Sequence, residues 1–232
     1  MIDTGRIRGV IFDYGGTIDS NGVHWAEVIR QAYQSVNVPV TKEEFRAAYI
    51  HGERTLGKNP IIKPHHTFLD MLQLKIDIQM ESLPGSFNFD VSMKHQIAHF
   101  CYGYARTSIA KARLVIEWMS GMYPLALVSN FYGNIAAVLS DFGIDHFFPV
   151  IIESAVVGVR KPDPQIFRLG VEALGMKADE VVVIGDSYDK DIVPAQTAGC
   201  QTIWLKNTGW SEYTGNETAD LIISDFAELR QL

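Results

Sequence analysis

The chain has 232 residues, 47% of them hydrophobic, and a formal net charge of -7; it is long enough for one large domain or a core with an inserted lobe, and apolar enough to fill it. The acidic balance argues against nucleic acid, whose phosphates call for a basic footprint, although a local lysine or arginine pocket still suits a small anion. Cys101 and Cys200 are too far apart in sequence to suggest a disulfide framework or zinc cluster, no apolar run is long enough to span a membrane and Met1 to Gly9 lacks a signal-peptide core, so a soluble cytoplasmic protein with no membrane partner is expected.

Ile7 to Phe12 reads as the first strand, nearly continuous in apolar character from Val10, as in a strand covered on both faces. It ends in Asp13, at the edge where open α/β sheets bind ligands, and Tyr14-Gly15-Gly16-Thr17-Ile18-Asp19 turns sharply behind it. From about Asn21 the pattern becomes helical. Trp25, Val28, Ile29, Ala32 and Tyr33 share one face, and Asn37-Val38-Pro39 closes that helix. Thr41 and Glu44 form a capping box for a second helix carrying Phe45, Ala48 and Tyr49. The polar, glycine-rich stretch from His51 to Pro60 reads as an inter-helix loop. Helical spacing returns at Phe68, Leu69, Leu72, Leu74 and Ile76, and again from Val91 to Tyr102, with Pro84-Gly85 between. Residues 20–104 are expected to form a helical cap, and residues 1–19 with 105–232 the core.

Ile109 to Met119 reads as a further helix, ended by Gly121. Leu125 to Val128 is a short strand with Ser129-Asn130 at its end. Asn134 to Leu139 is helical, and Phe147 to Ile152 is a short strand interrupted by Pro149. Arg160-Lys161-Pro162-Asp163 is a loop before a helix containing Ile166, Phe167 and Leu174. Val181 to Ile184 is a strand ending in Gly185-Asp186-Ser187, with Asp189 and Asp191 close behind. A helix from Ile192 to Ala198, strands at Thr202–Leu205 and Leu221–Ile223, and a closing segment from Phe226 to Leu232 follow. This alternation predicts a parallel sheet with helices on both faces: a three-layer, Rossmann-like α/β core with an inserted helical cap.

The strand ends carry the chemistry. A carboxylate such as Asp13 is a poor nucleophile, yet it attacks phosphorus when the charge of the transferred group is neutralised. Carboxylates converging beside it, as Asp186 and Asp191 would, repel one another without a cation, and Mg²⁺ takes oxygen ligands. The Ser129 hydroxyl and Lys161 ammonium suit phosphoryl oxygens, the backbone N–H groups around Tyr14 and Gly15 suit a phosphate nest, and Asn130 is placed to fix its loop.

The ordered set of Asp13 to Asp19, Val128-Ser129-Asn130, Arg160-Lys161-Pro162-Asp163 and Val181 to Ser187 with Asp189 and Asp191 resembles the haloacid dehalogenase superfamily. The matching branch inserts its cap between the first and second motifs. The resemblance covers Arg8 to Asp19 and Ala112 to the C-terminus, and in the cap it is only topological. It implies a Mg²⁺-dependent phosphohydrolase of a small phosphorylated metabolite, acting through an aspartyl-phosphate on Asp13. Ser129 and Lys161 would assist, with Asn130, Tyr14 and Gly15 also at the phosphate. The metal would lie on Asp13, the Gly15 carbonyl and Asp186, with Asp191 as an outer ligand or orienting a metal-bound water.

Gly15 departs from that pattern. Most phosphatases of the superfamily carry there a second aspartate that protonates the leaving oxygen, a contribution of about 10²–10⁴-fold, so the glycine puts hydrolase activity in doubt. Two alternatives follow: a catalytically impaired phosphate-binding or regulatory relative, or a phosphonate-cleaving one using a cap lysine, with Lys58 and Lys63 as candidates. His24, Trp25 and Arg54 are the expected substrate-specificity residues, Arg54 lying beside His51, Glu53 and Thr55. His65-His66 lacks a third ligand at useful spacing, and Trp118 with Phe131-Tyr132 reads as packing or rim.

Overall fold

The computed structural model describes residues 1–84, 90–207, 213 and 215–231. Six strands form one sheet: β1 (Gly9–Phe12), β2 (Leu125–Ser129), β3 (Val150–Glu153), β4 (Val181–Gly185), β5 (Gln201–Leu205) and β6 (Leu221–Ile223). Their order is β3-β2-β1-β4-β5-β6 and every pairing is parallel. β1, β2 and β4 are buried along their whole length, which is why they read as continuous apolar runs. The order reverses between β1 and β4, creating the crevice at the strands' carboxyl ends where such sheets take ligands. Phe12 pairs with both Leu127 and Ile184, so the residues that follow β1, β2 and β4 emerge at one edge.

The helices are α1 (Trp25–Ser35), α2 (Lys42–Lys58), α3 (Phe68–Glu81), α4 (Val91–Ser120), α5 (Ile135–Asp141), a single turn α6 (Ser154–Val157), α7 (Gln165–Ala173) and α8 (Val193–Ala198). The first three, with the start of α4, make the cap. Thr41 and Glu44 form the expected capping box of α2, and Thr67 with Asp70 forms another at α3.

The helical pattern differs from expectation at two places. The stretch from His51 to Lys58 is not a loop but the second half of α2. Its Gly52 is buried where a Cβ would lie 2.9 Å from Gln79 Cγ, so the glycine permits helix contact rather than marking a turn. The two helices expected at Val91–Tyr102 and Ile109–Met119 are one 30-residue helix, α4, capped by the Asp90 carboxylate on the Met93 N–H. It passes through residues 104–105 unbroken. Pro149 lies just before β3, which starts at Val150 after a 3₁₀ turn at Asp145–Phe147. A 3₁₀ segment at Phe226–Gln231 ends the described chain, and the expected break at Gly85 and the final Leu232 lie outside the described residues. Among the described residues no helix is long and apolar enough to cross a membrane.

Aromatic rings join cap to core. Phe68, at the start of α3, is buried, with ring centroids 6.3 Å from Tyr14, 5.4 Å from Trp25 and 5.5 Å from Phe142. Truncation would open a void among four elements. Phe68→Ala is therefore expected to lower unfolding free energy by about 3–5 kcal/mol, measured by urea titration; a loss below about 1 kcal/mol would show that the junction refills.

Candidate active site

Asp13 follows β1 and extends the ladder by one bond, its N–H donating to the Ile184 carbonyl at 2.9 Å. Lys161 reaches between two carboxylates, with Nζ 2.5 Å from Asp13 Oδ1 and 2.7 Å from Asp191 Oδ1. Thr17 Oγ1 lies 3.1 Å from Asp13 Oδ2 and 3.2 Å from Asp186 Oδ1, its single proton serving one of them at a time. Asp13, Asp186 and Asp191 each offer a ligand atom, all within 4.8 Å of one another.

The supports of this cluster are local. Asp186 leaves β4 with its carbonyl held by the Trp204 indole N–H at 2.8 Å. A π-helical turn at Tyr188–Ile192 returns Asp191 to the strand, and the Ser187 N–H donates to its Oδ2 at 3.0 Å. Asn130 clasps the main chain of Lys161 through both ends of its amide, at 2.9 and 3.1 Å. Glu153, at the end of β3, accepts from the Gly133 and Ile135 N–H groups, which steadies the loop after Ser129.

Electrostatics mark the cluster as short of positive charge. Burial, reinforced by Asp191, pushes Asp13 up to about 6 against the opposing pull of Lys161 and Thr17. Burial and then the Asp191 and Asp13 charges raise Asp186 well above the usual carboxylate range. Burial works against the Lys161 ammonium, but Asp13 and Asp191 outweigh it and its pKa is raised. One ammonium cannot balance three converging carboxylates in a dry site. A hard divalent cation with oxygen ligands can, and the donor set fits Mg²⁺.

The doubt attached to Gly15 is corrected here. The acidic cluster of Asp13, Asp186 and Asp191 is intact and contains no glycine substitution. Gly15 itself is exposed, and a Cβ there would meet nothing within 4 Å, so it leaves no defect in that cluster. Gly16 and Gly185 are the constrained glycines. Gly16 has φ +100°, and a Cβ there would lie 2.5 Å from the Asp186 carboxylate; at Gly185 it would lie 2.6 Å from Asp191 Cγ. Gly185→Ala must push Asp191 aside, and an expected loss of Mg²⁺ affinity of about 10–100-fold follows, read by calorimetry. Unchanged affinity would mean that Asp191 has no bearing on the metal.

Ser129 is buried at the end of β2. The Tyr14 side chain is buried against Phe68 and Phe131, leaving its backbone to face the turn. Trp25 donates its ring N–H to Asp19 at 2.8 Å, and Gly16 donates to the same side chain at 2.7 Å. His24 caps α1, its Nδ1 accepting from the Ala26 N–H, and burial lowers its pKa to about 4. Arg54, Arg160 and Asp189 are exposed. Lys58 is exposed at the end of α2, and Lys63 donates to the Pro60 carbonyl. Among the described residues His65-His66 belongs to no group of metal-ligating side chains, and His66 Nδ1 accepts from the Lys63 N–H.

Two buried polar residues were not read from the sequence. Thr17 sits within the first motif, four residues after Asp13, but its bridging geometry has no sequence signal. Lys75 is buried on α3 between Leu72 and Ile76, and a lysine on an apolar helix face is the signal that would have found it.

Residues 7–199 match the model of a family of hydrolases described as haloacid dehalogenase-like hydrolase. The glyceraldehyde 3-phosphate phosphatase of Methanocaldococcus jannaschii is 36% identical over 87 residues, 38% of this chain and 38% of that protein. The chain thus aligns with well under half the length of that relative. The phosphoglycolate phosphatase of Yersinia pestis is 27% identical over 232 residues, covering 99% of this chain and 94% of that protein. The HAD-hydrolase YfnB from Bacillus subtilis bound to magnesium shares the fold, with a TM-score of 0.60 at 20% identity over 97% of this chain and 98% of that one.

Proposed function

Because the chain belongs to the haloacid dehalogenase-like hydrolases, we propose that it is a Mg²⁺-dependent phosphohydrolase of a small phosphorylated metabolite, acting through an aspartyl-phosphate on Asp13. The observation that carries this reading is the Asp13, Asp186 and Asp191 cluster, bridged by Lys161 at the carboxyl ends of β1 and β4. The full-length similarity to a phosphoglycolate phosphatase supports it. Residues 20–104 would serve as the cap, and residues 1–19 with 105–232 as the catalytic core, α4 being shared by both.

In this reading an Asp13 carboxylate oxygen attacks phosphorus, forming the Asp13 O–P bond as the ester P–O bond breaks, and the leaving oxygen takes the electron pair and a proton from water to depart as the alcohol. Lys161 and the Ser129 hydroxyl hold the non-transferring oxygens and offset charge as it spreads over them. Asn130 keeps Lys161 in place through its main chain. Asp13, Asp186 and Asp191 would hold the Mg²⁺, which when bound would supply the positive charge that an anionic nucleophile needs to approach an anionic phosphoryl group. Water then cleaves the acyl phosphate, phosphate departs and Asp13 is restored.

A panel of phosphate esters with Mg²⁺ and with EDTA tests the reading. Chelation is expected to lower turnover by about 10²-fold or more, with full recovery on adding Mg²⁺. Equal rates with and without chelator would defeat it.

A further inference from the structure

The chain leaves the core for the cap through a short crossover, and one buried carboxylate ties its two ends together. Asp19 is 1% exposed. Its Oδ1 accepts from the Gly16 N–H, on the turn behind Asp13, at 2.7 Å, and its Oδ2 accepts from the Trp25 ring N–H at 2.8 Å. Trp25 is the first residue of α1, and its ring centroid lies 5.4 Å from that of Phe68 on α3, so the second bond is made to the cap. Between the two, Asn21 (φ 54°) and Gly22 (φ 82°) fold the crossover back, and the Gly22 N–H donates to the Gly16 carbonyl at 2.7 Å. Both main-chain groups of Gly16 are therefore held from the crossover.

A carboxylate is a costly side chain to bury at such a place. Burial pushes Asp19 up to about 7 against the pull of both hydrogen bonds. An asparagine would carry no charge, but its amide presents one acceptor and one donor group, and here two donors converge. A carboxylate takes both at once, which is the physical reason for an acid under the crossover. What it holds matters to the acidic cluster. Gly16 is pressed against the Asp186 carboxylate, where a Cβ would lie at 2.5 Å. The next residue, Thr17, places its hydroxyl 3.1 Å from Asp13 and 3.2 Å from Asp186, so a shift of Gly16 moves that hydroxyl with it.

Resting on the phosphohydrolase reading, we propose that Asp19 is a positioning residue that clasps the turn behind Asp13 to the cap, so that the orientation of the cap sets the place of the Thr17 hydroxyl between Asp13 and Asp186. Asp19 touches neither substrate nor metal in this role. It acts through Gly16 and Thr17 on one side and through Trp25 on the other. The crossover is then no free hinge: α1 cannot turn away from the core without drawing on Asp19 or breaking its bond to Trp25. Trp25 serves the clasp rather than the recognition of substrate.

The test measures Mg²⁺ affinity by calorimetry, kcat and KM for p-nitrophenyl phosphate, and unfolding in urea, for the wild type and three variants. Trp25→Phe keeps a ring against Phe68 and removes the N–H. It is expected to weaken Mg²⁺ binding about fivefold, although that N–H goes to Asp19 and not to the cluster, and to lower kcat while leaving KM nearly unchanged. Asp19→Asn leaves one of two buried donors without an acceptor and is expected to weaken Mg²⁺ binding by about tenfold or more. The double variant is expected to bind Mg²⁺ no more weakly than Asp19→Asn alone, because both changes break the same clasp. A merely structural bond would lower the resistance to urea and leave the Mg²⁺ affinity and kcat of the folded protein at wild-type values; that result in Trp25→Phe would overturn the proposal. Additive losses of affinity in the double variant would overturn it too. Should Asp19→Asn fail to fold, the Mg²⁺ affinity of Trp25→Phe decides alone. If no ester is hydrolysed, the phosphohydrolase reading fails separately and the Mg²⁺ affinities still decide the clasp, whereas a wild type that binds no Mg²⁺ defeats both.

Discussion

Asp13→Asn is expected to cut phosphate-ester turnover by about 10⁴-fold or more, the scale on which loss of a covalent nucleophile is felt, while leaving the fold intact. The amide keeps the size of the side chain and an oxygen for Lys161 but cannot attack phosphorus. Stability moves the other way. Burial holds Asp13 at a pKa of about 6, above the 3.8 of an exposed aspartate. Between those values the folded chain keeps a proton that the unfolded chain releases, so wild-type stability falls as pH rises through that window. In EDTA the variant, with no such group, should therefore gain on the wild type from about pH 4 to pH 6 and hold the gain above it, by on the order of 1–3 kcal/mol. Steady-state rates and thermal melts at pH 4, 6 and 8 read both effects. Retained activity would remove Asp13 as the nucleophile, and a melting difference independent of pH would remove the account of its burial.

Lys161→Met carries the second large effect. Methionine fills most of the same volume, but it takes away the ammonium held 2.5 Å from Asp13 and 2.7 Å from Asp191. Breaking a buried pair costs about 3–5 kcal/mol because the remaining charge has no partner, and here two carboxylates are stranded beside Asp186. The metal-free variant should melt well below wild type. Mg²⁺ should raise its melting temperature by more than it raises that of wild type, since an added cation now answers a larger deficit. Turnover with saturating Mg²⁺ should still fall by about 10²–10³-fold, the usual consequence of losing a preorganised donor to the transferring group. Melts with and without Mg²⁺ alongside initial rates separate the two roles. A variant that matches the wild type in EDTA would show that the carboxylates share protons and need no cation.

The core was legible because three of its site residues stand at the ends of runs that must be apolar. β1, β2 and β4 are covered on both faces, so the change to Asp13, Ser129 or Asp186 stands out, and their convergence follows once the strands are parallel. The cap was less legible because helix pairing, not local pattern, gives its residues their meaning. Gly52 looked like a loop signal, whereas it lets α2 approach Gln79 on α3. Glu53 and Lys75 are 22 positions apart and neither stands in a motif; only the packing of α2 on α3 makes them a pair. Arg54, next in line and expected as a substrate contact, is exposed on α2. Gly103, between the two helices expected there, stands open with nothing within 4 Å of a Cβ, and one interior glycine costs a helix only about 1 kcal/mol.

The unbroken α4 has a mechanical meaning. Its 30 residues make a rod about 45 Å long, packed on α1 and α3 and also on the 3₁₀ segment Phe226–Gln231. A rod does not hinge in its middle, so tilting the cap by about 10° about the midpoint would swing the far end by about 4 Å in the opposite sense. The 3₁₀ segment beside the rod carries the buried pair Phe226 and Leu229, and the Phe226 ring lies 5.6 Å from that of Phe12. Phe12 is the residue immediately before Asp13. The lever that carries the cap therefore bears, through one aromatic contact, on the strand that leads into Asp13 and the acidic cluster.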